Sequence, residues 1–199
     1  FNLYSSSSFT VTGNVAIGRG KQRGLVLDNS SGFRILRNLL VGQVVGVELQ
    51  SSPSGVVYQN TVWDHVTAGF YLGTGSSNVT LRNNLWQGFF AYYLNSVAQG
   101  SLSSDHNGFN FTGQMGVGSG SYSALTDWQA TGQDATAIQA DPLFIDATGS
   151  QPEKFKLQPG SPVKGYGVDL SAELSTDYFG NPLSPAPAKV ASSTVTGAA

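Results

Sequence analysis

A chain of 199 residues with only 11% charged side chains, a net charge of −2 and a pI near 5.5 carries no electrostatic footprint for nucleic acid or an anionic membrane surface. It has no cysteine, which excludes disulfides, and no apolar run approaches the roughly 20 residues that span a bilayer. Its 25 glycines, with serine clustered between short apolar runs, describe strands and turns rather than helices.

The chain opens at Phe1 close to a repeating frame and without a signal-like leader, which suggests a mature product, a fragment or a trimmed chain. Residues 1–8, ending in four serines, read as an incoming loop or a partial coil. From Phe9 to Phe111 the chain repeats. Asparagines fall at Asn14, Asn38, Asn60, Asn84 and Asn107, separated by 24, 22, 24 and 23 residues, with Val11, Ile35, Val57 and Leu81 each three positions ahead. Leu27, Leu49, Leu72 and Leu94 form a second ladder at 22, 23 and 22. A fixed period of this length marks a solenoid, in which a coil buries its apolar face only when the next one stacks on it. Each coil reads as a short strand before the Asn, one after it, a variable loop, and a third strand such as Gly46-Val-Glu-Leu-Gln50. The period of two puts Leu25, Val47, Phe70 and Tyr92 inward with the leucine ladder, and Val26, Glu48, Tyr71 and Tyr93 outward.

After Ser104, the motifs Ser104-Asp-His-Asn-Gly-Phe, Leu125-Thr-Asp-Trp128, Ala140-Asp-Pro-Leu-Phe144, Phe155-Lys-Leu-Gln-Pro-Gly-Ser-Pro162 and Thr176-Asp-Tyr-Phe-Gly-Asn-Pro182 come in order. Trp128, Leu143, Phe144, Phe155 and Leu157 are expected to cover the apolar end of the stack. One short helix is predicted over about 124–130, capped by Ser123 or Thr126. The boundaries expected are coils over 1–112, a closing segment over 113–183 packed on the solenoid end, and a Pro/Ala/Ser-rich tail over 184–199.

Three short strands per coil of 22–24 residues, the asparagine ladder and this ending resemble the right-handed parallel β-helix family, which includes pectate lyases and polygalacturonases. The resemblance implies an all-β, single-stranded parallel β-helix with an irregular C-terminal closing segment, and a secreted, extracellular protein acting on polysaccharide as a lyase or glycoside hydrolase, or the C-terminal part of one. Enzymes of that family work in a groove along the first strand and the loops leading into it. Here that groove implies Glu48, Asp64 and His65 as catalytic candidates, and Tyr71, Tyr93 and Arg23 as substrate-binding ones. Aromatic faces pack on pyranose rings, a carboxylate bonds hydroxyls, and a histidine beside a carboxylate serves as a base. Asp64 and His65 are expected in a loop after Asn60, where adjacent side chains tend to diverge. Asp28 and Glu48 are the other acid pair for a glycosidase.

Arg19, Lys21 and Arg23 form the one basic loop, the type of group that neutralises a uronate. No dense carboxylate cluster supplies the six to eight oxygens that Ca²⁺ requires, so no cofactor or metal is expected. Asp105 and His106 read as turn residues, and the Asn-x-Ser/Thr triplets at Asn29, Asn78 and Asn110 as chance occurrences. The competing expectation is a non-catalytic structural, adhesive or filament-forming module, because acids and bases are scarce over four coils. In that reading another chain or upstream coils cover the N-terminal end. A tailspike-type fragment is a third class.

Overall fold

The computed structural model describes residues 1–18, 20, 22–95, 99–117, 120–149 and 151–183. It is a parallel β-solenoid with three faces. The first face stacks Asn2–Tyr4, Leu25–Asp28, Val45–Gln50 and the later halves of Thr61–Leu72 and Leu85–Leu94. The second stacks Thr10–Thr12, Arg34–Leu36, Gly55–Tyr58, Val79–Arg82 and Leu102–Asp105. The third stacks Val15–Ile17, Leu39–Val41, the first halves of the two long strands, Gly108–Phe109 and Ile138–Gln139. The alternation read from the sequence holds: Leu25, Leu27, Val47, Leu49, Phe70, Leu72, Tyr92 and Leu94 are all buried in one core.

Polar ladders run up the corners. At the corner between the second and third faces, Asn14, Asn38, Asn60 and Asn84 each donate their backbone N–H and side-chain Nδ2 to the Oδ1 of the next asparagine, at 2.9–3.0 Å. From Asn38 onward, the same Nδ2 also donates backwards to a carbonyl of the preceding coil: Val11, Ile35, Val57 and Leu81. A buried amide is thereby satisfied on both sides. The residue before each rung, Gly13, Arg37, Gln59, Asn83 or His106, has a positive φ between 54° and 66°, the left-handed step that turns the chain into the third face. A second ladder, of serines, occupies the corner after the first face. The backbone N–H of Ser6, Ser30 and Ser52 donates to the hydroxyl of Ser30, Ser52 and Ser76 in turn.

Three expectations are corrected. First, Asp64 and His65 lie inside a continuous strand, Thr61–Leu72, rather than in a loop. Asp64 has φ 57°, and this left-handed residue bends the strand round the corner, where its register with the next coil shifts between Val62 and Ala68. Secondly, the helix is Leu125–Gln129 with Ala124 at its N-cap; neither Ser123 nor Thr126 caps it by a side-chain hydrogen bond.

Thirdly, most of the closing segment does not sit on the end of the stack. Trp128 and Leu125 do join the main core. Phe144, Phe155, Leu157 and Val163, however, pack on the outward side of the third face against Leu39, Val41, Trp63 and Leu85. Leu143 is 38% exposed. Leu170 and Leu174 then cover Leu36 and Tyr58 on the second face. The chain travels back along the stack as it does so. Val168 exchanges two hydrogen bonds with Asn83, Glu173 pairs with Arg34 at 2.8 Å, and Thr176 accepts from Arg37. The reason is chemical: those outward positions are apolar and need a cover. The tail over 184–199 lies outside the described residues.

Candidate functional site

Outward positions of the first face differ from those of the other two. In register they are Val26, Glu48, Tyr71 and Tyr93, one per coil. Glu48 is only 2% exposed although it points away from the core. Its Oε1 accepts from Arg23 Nη1 at 2.8 Å and from Gln50 Nε2 at 3.3 Å. Its Oε2 is buried with no hydrogen-bond partner. A carboxylate oxygen removed from water without a donor is costly, and this one lies out of reach of solvent.

Tyr71 and Tyr93 stack with ring centroids 5.3 Å apart and planes within 8°. Parallel rings separated by about one coil spacing turn their faces to each other. Phe90 meets Tyr93 edge-on at 5.7 Å. The pair therefore offers edges and hydroxyls outward, and the facing sides expected to pack on a sugar ring are occupied. Arg23 borders Glu48 with its side chain 57% exposed. Asp28 stands level with Gln50, one rank further along than Glu48, and the Gln50 amide already engages Glu48.

Asp64 and His65 form a separate place at the corner leading into the first face, and they diverge. Asp64 is exposed, and its N–H donates to Gln87 Oε1. His65 is 5% exposed and occupies space left by two glycines: a Cβ on Gly46 would lie 2.9 Å from its Nε2, and one on Gly88 3.0 Å from its Cβ. Burial pushes the imidazole pKa down to about 3, an effect that the Gln43 backbone carbonyl offsets in part. That carbonyl also accepts from the Val66 N–H at 3.0 Å, and neither ring nitrogen meets a partner at hydrogen-bonding geometry. A base whose conjugate acid has a pKa near 3 is mismatched to proton abstraction near neutrality. Asp64, turned outward, does not orient it.

The six candidates thus divide into two places. Glu48, Arg23, Tyr71 and Tyr93 share one face, while Asp64 and His65 line a hollow beside it. Arg19 and Lys21 lie outside the described residues. Gln43 and Gln50 contribute polar groups here, and their signal in the sequence, one polar residue at the edge of an apolar strand, is weak. Among the described residues no group of three His, Cys, Asp or Glu side chains could hold a metal ion. Asp105 and His106 form a turn, with Asp105 accepting from Thr136 and His106 at φ 54°.

Comparison with known proteins agrees with this architecture. The family model described as right handed beta helix region matches residues 1–127, more than half of the chain. A search of curated proteins finds no match. The chain belongs to the right-handed β-helix family.

Proposed function

For this right-handed β-helix, we propose polysaccharide as the ligand, bound along the first face, with the protein acting outside the cell. The observation that carries this reading is the Glu48–Arg23 ion pair, whose guanidinium is mostly exposed, next in register to the Tyr71–Tyr93 pair. One carboxylate–guanidinium pair followed by two phenols at the coil spacing suits a polymer whose hydroxyls also repeat. Binding is favoured over bond cleavage. His65 is buried and neutral, and Asp64 points away from it. A lyase or glycoside hydrolase is the finer alternative at the same face.

The test is a panel of neutral and uronate polysaccharides, scored for retardation in affinity gels and for release of reducing ends or unsaturated uronate. We expect retardation without product, weakened about tenfold or more in Glu48→Gln because the carboxylate that holds the exposed Arg23 guanidinium is lost. Retardation by no polysaccharide overturns the reading. Product release that disappears in Glu48→Gln turns the binding face into a catalytic one.

A second reading has its own support. Asn2–Tyr4, Thr10–Thr12 and Val15–Ile17 each pair on one side only, and Leu3, Val11 and Ala16 are only partly buried. Such edges recruit strands, so a structural module that stacks with another chain is the alternative. Light scattering showing a monomer across the accessible concentration range counts against it.

A further inference from the structure

The first face begins with an aromatic residue that later coils do not repeat. In the strand Asn2–Tyr4, Leu3 packs against the core, which puts Asn2 and Tyr4 outward. Tyr4 is level with Asp28, and Asp28 with Gln50, whose amide reaches Glu48. The Tyr4 side chain is 60% exposed, and among the described residues no ring engages it. Tyr71 and Tyr93, in contrast, occupy each other's faces. Asp28 is partly exposed. The Ser5 N–H and the Ser30 hydroxyl bond to its backbone carbonyl, at 3.0 and 3.1 Å. Among the described residues its carboxylate is left without a donor. Beside them lies an open hollow of about 410 Å³, lined by Phe1, Asn2, Gln22 and Arg23. The Arg23 side chain there is 57% exposed.

We infer that Tyr4 and Asp28 form the sugar-stacking subsite of the first face. One pyranose ring lies on the Tyr4 ring and gives a hydroxyl to the Asp28 carboxylate, and the next sugar enters the hollow beside Asn2 and Arg23. This rests on the polysaccharide reading and supplies the ring contact that the Tyr71–Tyr93 pair does not offer. Every group invoked has surface open to a ligand. An aromatic face left in water gains by covering the C–H side of a pyranose, and a carboxylate without donors takes the hydroxyls at the edge of the same ring. The spacing suits a chain: Asn2 and Tyr4 are two residues apart along a strand, about 7 Å, so adjoining sugars reach both places. Charge divides the ligands without touching this contact. Arg23, with Arg19 and Lys21 in the same loop, favours an acidic polymer, whereas Asp28 favours a neutral one. Stacking on Tyr4 is common to both.

The test is calorimetry of the whole chain against the polysaccharides that the affinity gels retard, neutral and uronate in separate arms. Tyr4→Thr removes the ring and keeps a strand-favouring side chain, Tyr4→Phe keeps the ring, and Tyr166→Ala, at a tyrosine 37% exposed in the closing segment, is the control. We expect about tenfold weaker binding in Tyr4→Thr in either arm, with its thermal melt unmoved, and binding within about twofold of the parent in Tyr4→Phe and Tyr166→Ala. Asp28→Asn separates the arms: about threefold weaker with a neutral polymer, and stronger with a uronate one, from which a like charge has been removed. Parent-like binding in Tyr4→Thr overturns the subsite while leaving the first-face reading intact, and so does an equal loss in Tyr166→Ala. An equal loss in Tyr4→Phe assigns the contact to the hydroxyl and overturns stacking. Asp28→Asn without effect in both arms removes the carboxylate from the subsite. Retardation by no polysaccharide overturns the subsite and the first-face reading together.

Discussion

The outward sides of the three faces are built from the same kind of strand yet end differently. On the third and second faces the outward residues are Leu39, Val41, Trp63, Leu85, Leu36 and Tyr58, and the C-terminal segment lies over them with Phe144, Phe155, Leu157, Leu170 and Leu174. On the first face they are Glu48, Tyr71 and Tyr93, and the described part of that segment packs elsewhere. The C-terminal segment covers the apolar outward rows, whereas on the first face it leaves Tyr71 and Tyr93 partly exposed. The difference separates stabilising surfaces from the surface available for binding.

The largest effect should come from the covered side. Phe155 is fully buried between the segment and the third face, so Phe155→Ala is expected to cost about 3–5 kcal/mol in urea denaturation while leaving polysaccharide affinity within about twofold. A loss of affinity that parallels the loss of stability would erase the distinction between the faces.

Next is Asp134, buried in the closing segment, where it accepts from Asn107, Ser104 and Trp128. Burial, outweighing those hydrogen bonds, raises its pKa from 3.8 to about 6. The folded state therefore holds this proton more tightly than the unfolded chain. The resulting stabilisation is complete below about pH 4 and is lost as pH rises through 6, by on the order of 2–3 kcal/mol. Subtracting the pH-stability curve of Asp134→Asn from that of the parent should expose this slope. Binding, in contrast, should stay flat between pH 5 and 8 with respect to His65, whose pKa near 3 keeps it neutral throughout. Affinity falling through an apparent pKa near 6.5 would mean that His65 titrates.

On the open face the expectation reverses. Glu48→Gln should weaken binding by ~1.5–3 kcal/mol and change the unfolding free energy by less than ~1 kcal/mol, because its partner Arg23 is mostly solvated. The smallest effect belongs to Glu173→Gln. Its pair with Arg34 is exposed on both sides, and the substitution should change stability by less than ~0.5 kcal/mol and binding not at all.

The coil register was legible because period-two burial and a 22–24-residue repeat are properties of nearby residues. The asparagines identified one corner, and Ser6, Ser30, Ser52 and Ser76, at separations of 24, 22 and 24, could have identified another. Serine is so frequent in this chain that the row is hidden in its background. The path of the closing segment was not legible. Phe144 and Phe155 read as cover, but their destination depends on outward residues such as Trp63, about 80–90 positions earlier, whose own exposure was undetermined from sequence. The site was half legible. Alternation put Glu48, Tyr71 and Tyr93 on one face, whereas the left-handed step at Asp64, which sends the neighbouring His65 beneath the surface, leaves no mark in composition.

Asn38, Asn60 and Asn84 each hand the next rung the same two donors and offer the previous one the same oxygen. Within the asparagine row alone a coil can therefore be deleted or duplicated between Asn38 and Asn84, but the C-terminal segment, anchored at both Asn83 and Arg34, would have to be refitted to the new length. The last interface has no such freedom. There Asn107 meets a carboxylate rather than another amide, and that carboxylate is also committed to Ser104 and Trp128. The repeating row leaves the coil count open while its closing and the returning segment fix it, and because each coil adds one outward residue to the first face, the length of that face is set by the same count.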